Sequence, residues 1–201
     1  MTIFILIVTV LVSLTAFYKP IVFDKLKFNP YRTAHNKEIW RLFTYGFVHA
    51  DWIHLAVNMF VLLSFGSIVS SYYEIVFPGK ANFYYLLLYF GGLFISAAPA
   101  FGKHKENFYY NSVGASGAVS AIVFSSIVFD PMNKIYLMFI PIGIPAILFG
   151  ILYLVYSAYM DKKGSDNIGH DAHFWGGIFG FAITIILKPD LFFHFLNQIF
   201  G

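Results

Sequence analysis

Six apolar stretches, at about 2–18, 51–70, 81–101, 115–129, 134–160 and 169–188, take up most of this 201-residue chain. A helix that crosses a bilayer needs roughly 20 mainly apolar residues. Every peptide N–H and C=O buried in lipid must find its partner within the protein, so repeated runs of this length have to become packed helices. Only 11% of the residues are charged, against about 25% in soluble domains. The expectation is an all-α polytopic membrane protein with six transmembrane helices. It forms one domain over residues 1–201, with no stretch left for an appended soluble domain.

The segment Thr2–Tyr18 has no cationic stretch ahead of it and no small-residue cleavage site before Lys19-Pro20, so it reads as a retained helix rather than a signal peptide. The chain has no cysteine, which removes disulfides and thiolate metal sites. Its net charge of +3 is spread over loops and forms no basic stripe of the kind nucleic acid requires.

Polar residues near the starts of these runs carry the functional signal, because intramembrane polarity usually faces a bundle interior or a wet cavity. Ser116 lies in Gly-Ala-Ser-Gly-Ala (114–118), surrounded by minimal side chains. Its segment, 115–129, rises only about 22 Å at about 1.5 Å per residue, against a hydrocarbon core of about 30 Å. If Asp130-Pro131 marks one membrane face, Ser116 stops below the other, in a buried and wet position. Amides at a helix start lack intrahelical acceptors and suit a developing oxyanion. Helix packing through small residues is the plainer use of the same motif.

His173 opens the last segment, followed by Gly176 and Gly180 in small-xxx-small spacing. Close packing on the Ser116 segment would bring the imidazole towards the hydroxyl, and a neutral imidazole can take a hydroxyl proton. The alternative is a histidine satisfied by a backbone carbonyl. Asp171, two positions away, is on another face, whereas His170 is one turn before His173 and can order it or a nearby water. A Ser–His dyad is therefore favoured over a triad. His54 and Asn58 share one face of the second segment and can serve as oxyanion donors, or simply as interhelical hydrogen bonds. His49 is placed in the preceding loop with no chemistry assigned. A metal site built from these histidines lacks His-Glu-x-x-His or Glu-x-x-His spacing, so none is expected, nor any other cofactor.

As a set these residues resemble the rhomboid intramembrane serine proteases. The motifs appear in the family's order: Trp40-Arg41, His54-x-x-x-Asn58, Gly114-x-Ser116-Gly117 and Ala172-His173-x-x-Gly176-x-x-x-Gly180. The resemblance implies the six-helix core form, with Ser116 as nucleophile and His173 as general base. His54, Asn58 and the Ser116 amide would form the oxyanion hole. Arg41 and Trp40 would belong to a first loop half-sunk in lipid. Some members carry a tyrosine four residues after the nucleophile, beneath the catalytic imidazole. Here that residue is Ser120, and Trp175 or another aromatic is expected to substitute.

The implied reaction is endoproteolysis of membrane-protein substrates whose transmembrane segments are destabilised as helices, reached through the bilayer. Residues 149–160 and the loop 161–168 are the candidate gate, with Gly150 and Gly164 as hinges. The family's orientation opens the site to the non-cytoplasmic side, with the cell membrane as the expected location. It leaves Lys80, Lys134 and Lys188 inside and the other ten cations outside, against the positive-inside rule. The rival functions are a catalytically silent rhomboid-like binder of membrane helices, a His-rich metal enzyme, and a small transporter.

Overall fold

The computed structural model describes residues 1–136, 142–164 and 168–201. Helix α1 (Thr2–Tyr18) ends at Lys19, and Pro20 opens a short α2 (Pro20–Leu26) where its missing N–H costs nothing. Two further short helices, α3 (Pro30–His35) and α4 (Arg41–Thr44), and a 3-10 turn (Tyr45–Phe47) fold the first loop into a structured unit. Then come α5 (Trp52–Val76), α6 (Ala81–His104) and α7 (Ser116–Phe129). Asp51 caps α5 by accepting the His54 N–H at 2.8 Å.

The fifth apolar segment is corrected. Its first part pairs as an antiparallel hairpin, β1 (Lys134–Tyr136) with β2 (Gly143–Pro145), and helix α8 begins only at Ala146. Proline in a helix interior loses a hydrogen bond and clashes with the preceding turn, so Pro145 sets the boundary. The chain ends with α9 (His170–Leu187) and α10 (Asp190–Phe200), the latter unanticipated. Helices α6 and α8 also run past their apolar stretches into Lys103-His104 and Lys162-Lys163, cations that suit the negative end of a helix dipole.

Helix α7 is the axis of the bundle. All residues from Gly117 to Phe129 are buried, as befits a helix apolar on every side. Helices α5, α6, α8, α9 and α10 all pack against it. Polar links stitch this core: Thr184 Oγ1 on α9 donates to its own Gly180 carbonyl and lies 2.8 Å from Ser125 Oγ on α7, from which it can accept. Helix α1 joins through a stripe of Thr2, Ile5, Thr9, Ser13 and Ala16 at three- and four-residue spacing. Thr2 donates to Tyr85 on α6 at 2.9 Å.

Among the described residues, α5 and α6 are each long and apolar enough to cross a membrane. Helices α9 and α10 meet that standard only together, across a bend of 114°, while α1 and α7 are shorter apolar helices. By length and apolarity alone two helices qualify as crossings, or three with the bent pair, which does not by itself establish the six expected.

Candidate active site

Ser116 is the first residue of α7, half-buried, behind a turn that only glycine adopts easily. Gly114 has φ +110°, and a side chain there would collide with the His54 imidazole, 2.7 Å from Nε2. The His54 ring thus rests on the backbone two residues ahead of Ser116. Val119 makes the first helical bond of α7, to Ala115 O at 2.9 Å. The amides before it open out of the helix end, where they can meet developing negative charge.

The turn is fastened to the first loop. The Gly114 N–H donates to Tyr45 O at 3.0 Å, and Tyr45 in turn donates its hydroxyl to Leu93 O on α6 at 2.8 Å. The Ala115 N–H donates to His49 Nε2 at 3.4 Å. His49 Nδ1 is 2.9 Å from Ser13 Oγ, which spends its one proton on Phe47 O. Ser13 must therefore accept from His49 Nδ1–H, which leaves Nε2 bare to receive the Ala115 amide. His49 has no exposure, and burial, reinforced by His54, lowers its pKa to about 3 although Asp51 opposes the shift. It is neutral, in one tautomer. The sequence reading assigned it no chemistry; it fastens the backbone next to Ser116.

On the other side, α9 meets α7 backbone to backbone. A methyl group at Gly176 would sit 2.2 Å from Gly117 O, and one at Gly180 would sit 2.0 Å from Ala121 O. Gly117 leaves room for Ser96 Oγ of α6, 2.2 Å from where its Cβ would be, and for Ala172 O at 3.5 Å. Three helices therefore converge at residues 117 and 176, with only the small Ser96 side chain of α6 between them. The contact sets Gly117, which follows Ser116 in sequence, against Ala172, which precedes His173.

The half-buried His173 ring stacks on Tyr153 of α8, with centroids 6.1 Å apart and planes inclined by 26°. Tyr153 OH is held 2.7 Å from Ser120 Oγ. Of the expectation that Trp175 or another aromatic lies against His173, the second half applies: Tyr153 does so, while Trp175 is 45% exposed and lies edge-on to Phe174. His170 is buried, its ring edge-on to His173 at 5.9 Å.

Asn58 is buried one turn along α5 from His54 and donates one of its two amide protons to His54 O at 2.9 Å. Arg41 and Trp40 serve the loop rather than the serine. Arg41 is 2% exposed, pairs with Glu38, and donates to the Asp24 and Lys27 carbonyls at 2.7 Å each. Trp40 is exposed. Asp24 joins this unit through Lys27 at 3.0 Å and Arg32 at 2.8 Å, hydrogen bonds that hold its carboxyl below the usual pKa. Beside α9, Lys103 links Asp161 of α8 and Asp171 of α9, at 3.3 and 3.7 Å. The expected gate loop 161–168 lies partly outside the described residues. Gly164 ends α8 at φ +57°, while Gly150 packs within its helix against Ile127. Among the described residues no three His, Asp or Glu side chains gather as a metal site would need.

Residues 36–190 match the family model described as Rhomboid domain. The chain is also 30% identical over 145 residues to RHOMBOID-like protein 12, mitochondrial, of Arabidopsis thaliana. That match covers 67% of this chain and 42% of the relative, so the chain spans less than half of the relative's length.

Proposed function

Since the chain belongs to the rhomboid family of membrane-embedded proteins, we propose that it is an intramembrane serine endopeptidase working through Ser116 and His173. The observation that carries this reading is the α7–α9 junction, where Gly176 packs on Gly117 O and Gly117 faces Ala172 O. Ser116 and His173 are the sequence neighbours of that contact, and the amides of residues 116–118 precede Val119, whose N–H makes the first helical bond of α7.

In the proposed reaction His173 takes the Ser116 proton as Oγ attacks the carbonyl carbon of the scissile peptide. The oxyanion is received by the Ser116 N–H, the remaining Asn58 amide proton and His54. His173 then returns its proton to the leaving amine as the C–N bond breaks. Water, deprotonated by the same imidazole, adds to the acyl-enzyme and releases the acid, restoring Ser116. The partners are membrane proteins whose transmembrane helices unwind readily, admitted from the lipid bilayer, because a bond within an intact helix is shielded from both water and nucleophile.

The same reading takes the bundle as the six-helix core, lying in the cell membrane with Ser116 towards the non-cytoplasmic side. The cations that offend the positive-inside rule support this orientation by their setting. Lys27, Arg32 and Arg41 belong to a folded, ion-paired first loop rather than to a free hydrophilic flank.

A catalytically silent binder of membrane helices is the second reading, favoured by the relative's description as rhomboid-like. Purified protein in liposomes with a helix-destabilised transmembrane substrate separates the two. Cleavage by the wild type, its loss in Ser116→Ala, and fluorophosphonate labelling confined to Ser116 support the protease. Binding without cleavage, or cleavage that survives Ser116→Ala, refutes it. Cleavage abolished by a chelator would indicate a metal enzyme instead.

A further inference from the structure

We infer that α10 lies along the membrane surface, seated in lipid at the boundary between headgroups and acyl chains by Phe192, Phe193 and Phe200, and that it holds there the end of α7 opposite Ser116. This depends on the chain being a membrane protein and not on the chemistry of Ser116.

Helix α10 leaves α9 after Lys188-Pro189 at a bend of 114°, not far past perpendicular. With α9 taken as the crossing member of the pair, as in the proposed six-helix core, a turn of this size sets α10 close to the bilayer plane. Its surface divides into three arcs. Leu191 and Phe195 are buried against the bundle. Asp190, His194, Asn197 and Gln198 gather on a second arc, at the spacings that share a helix face. Phe192, Phe193 and Phe200 form a third, exposed by 41%, 67% and 83%.

Three arcs of this kind call for three surroundings at once: protein, water and hydrocarbon. A crossing or re-entrant α10 would push its polar arc into acyl chains, and a fully aqueous one would leave three phenylalanines in water. Only the interface satisfies all three. The occupant of the phenylalanine arc is lipid because exposed apolar surface also flanks the bend on α9, where Ile186 is 69% exposed. The seat is also uncharged: Asp190, the helix's one charged residue, is paired with Lys188 at 2.9 Å. Zwitterionic lipid is therefore sufficient, without the anionic headgroups that basic amphipathic helices need.

The polar arc reaches back to α7. His194 Nε2 is 3.0 Å and Gln198 Nε2 3.4 Å from Phe129 O, a carbonyl in the last turn that α7 itself leaves unpaired. With that end held at one boundary, the 14 residues of α7 rise about 21 Å through a hydrocarbon core of about 30 Å. Ser116 then stands roughly 9 Å beneath the opposite boundary, or deeper if α7 tilts.

The chain has no cysteine, so single substitutions Phe193→Cys, Asn197→Cys and Phe200→Cys can each carry a bimane probe. The full chain is placed in phosphatidylcholine liposomes containing lipids brominated near the headgroup or near the bilayer centre. Probes at 193 and 200 should be quenched more by the shallow bromines. The probe at 197 should respond to aqueous iodide, and none of this should change with anionic lipid or high salt. Strongest quenching by the deep bromines would overturn the proposal in favour of a crossing or re-entrant helix. Probes at 193 and 200 shielded from both bromine and iodide, with energy transfer between copies, would overturn it in favour of a second chain. Loss of the hook in His194→Ala/Gln198→Ala should speed amide exchange in the last turn of α7 by roughly fivefold. Unchanged exchange would remove the hook from the proposal.

Discussion

Tyr153 offers the sharpest test of how the imidazole is held. Its ring stacks on His173, and its hydroxyl is tethered to Ser120 at 2.7 Å. A buried hydrogen bond of this kind contributes about 1 kcal/mol net, and a ring pair about 0.5–1.5 kcal/mol. At 1.36 kcal/mol per decade of rate, Tyr153→Phe should lower kcat about fivefold by freeing the ring from Ser120. Ser120→Ala should cost about as much, for the same reason. Tyr153→Ala, which removes ring and tether together, should cost roughly 10- to 70-fold. The distinctive expectation is non-additivity: Ser120→Ala/Tyr153→Phe should lose no more than either change alone, because both cut one bond. The assay is cleavage of a transmembrane substrate in liposomes, with kcat and KM separated, alongside the rate of fluorophosphonate labelling of Ser116. Positioning acts on kcat and labelling together and leaves KM in place. Additive losses, a change confined to KM, or an active Tyr153→Ala would refute the reasoning.

Gly176→Ala and Gly180→Ala should each force α9 away from α7, since the new methyl would lie 2.2 or 2.0 Å from a backbone oxygen. Overpacking of this kind costs about 1–3 kcal/mol or more, visible as an earlier unfolding midpoint in detergent and as lost cleavage. Neutral His49, with a native pKa of about 3 against roughly 6.5 unfolded, makes stability complete above the unfolded value. The unfolded chain binds a proton first, so stability falls as pH drops from about 6.5 towards 3, by at most about 1.4 kcal/mol per unit. Unfolding midpoints between neutral and mildly acid pH should fall less steeply in His49→Gln, and equal slopes would contradict the assignment. Arg41→Ala removes charged donors from the Asp24 and Lys27 carbonyls, at about 1.5–3 kcal/mol per bond. Amide exchange across residues 24–29 should quicken, while the last turns of α5 remain protected.

The helices that could be read from the sequence are those where apolar length alone decides. Helix α1 has the expected bounds, 2–18, and α7 and α9 begin and end within a residue of theirs. What composition could not reveal is direction around a helix. Helix α8 carries Tyr153, Tyr156 and Tyr159, and no apolar stripe separates them. Packing alone turns Tyr153 inward to His173 while Tyr156 and Tyr159 stay exposed. The strand pairing was missed for a related reason: the segment is apolar enough for a helix, but Pro145 at the end of β2 lets helix α8 begin only after it.

His49 was overlooked because its partners lie far away in sequence, 36 residues back at Ser13 and 66 ahead at Ala115. Both bonds serve the same end. The turn at Gly114 has a positive φ and sits under the His54 ring, a shape the local sequence permits but does not hold. Its amides are secured by Tyr45 and His49, residues of the first loop, which Arg41 in turn binds to α2. Helix α9 presses on α7 from the other side through Gly176. The first loop, far from Ser116 in sequence, thus braces the turn that leads into it. Loosening that loop should displace the serine even when every residue proposed for the chemistry is intact.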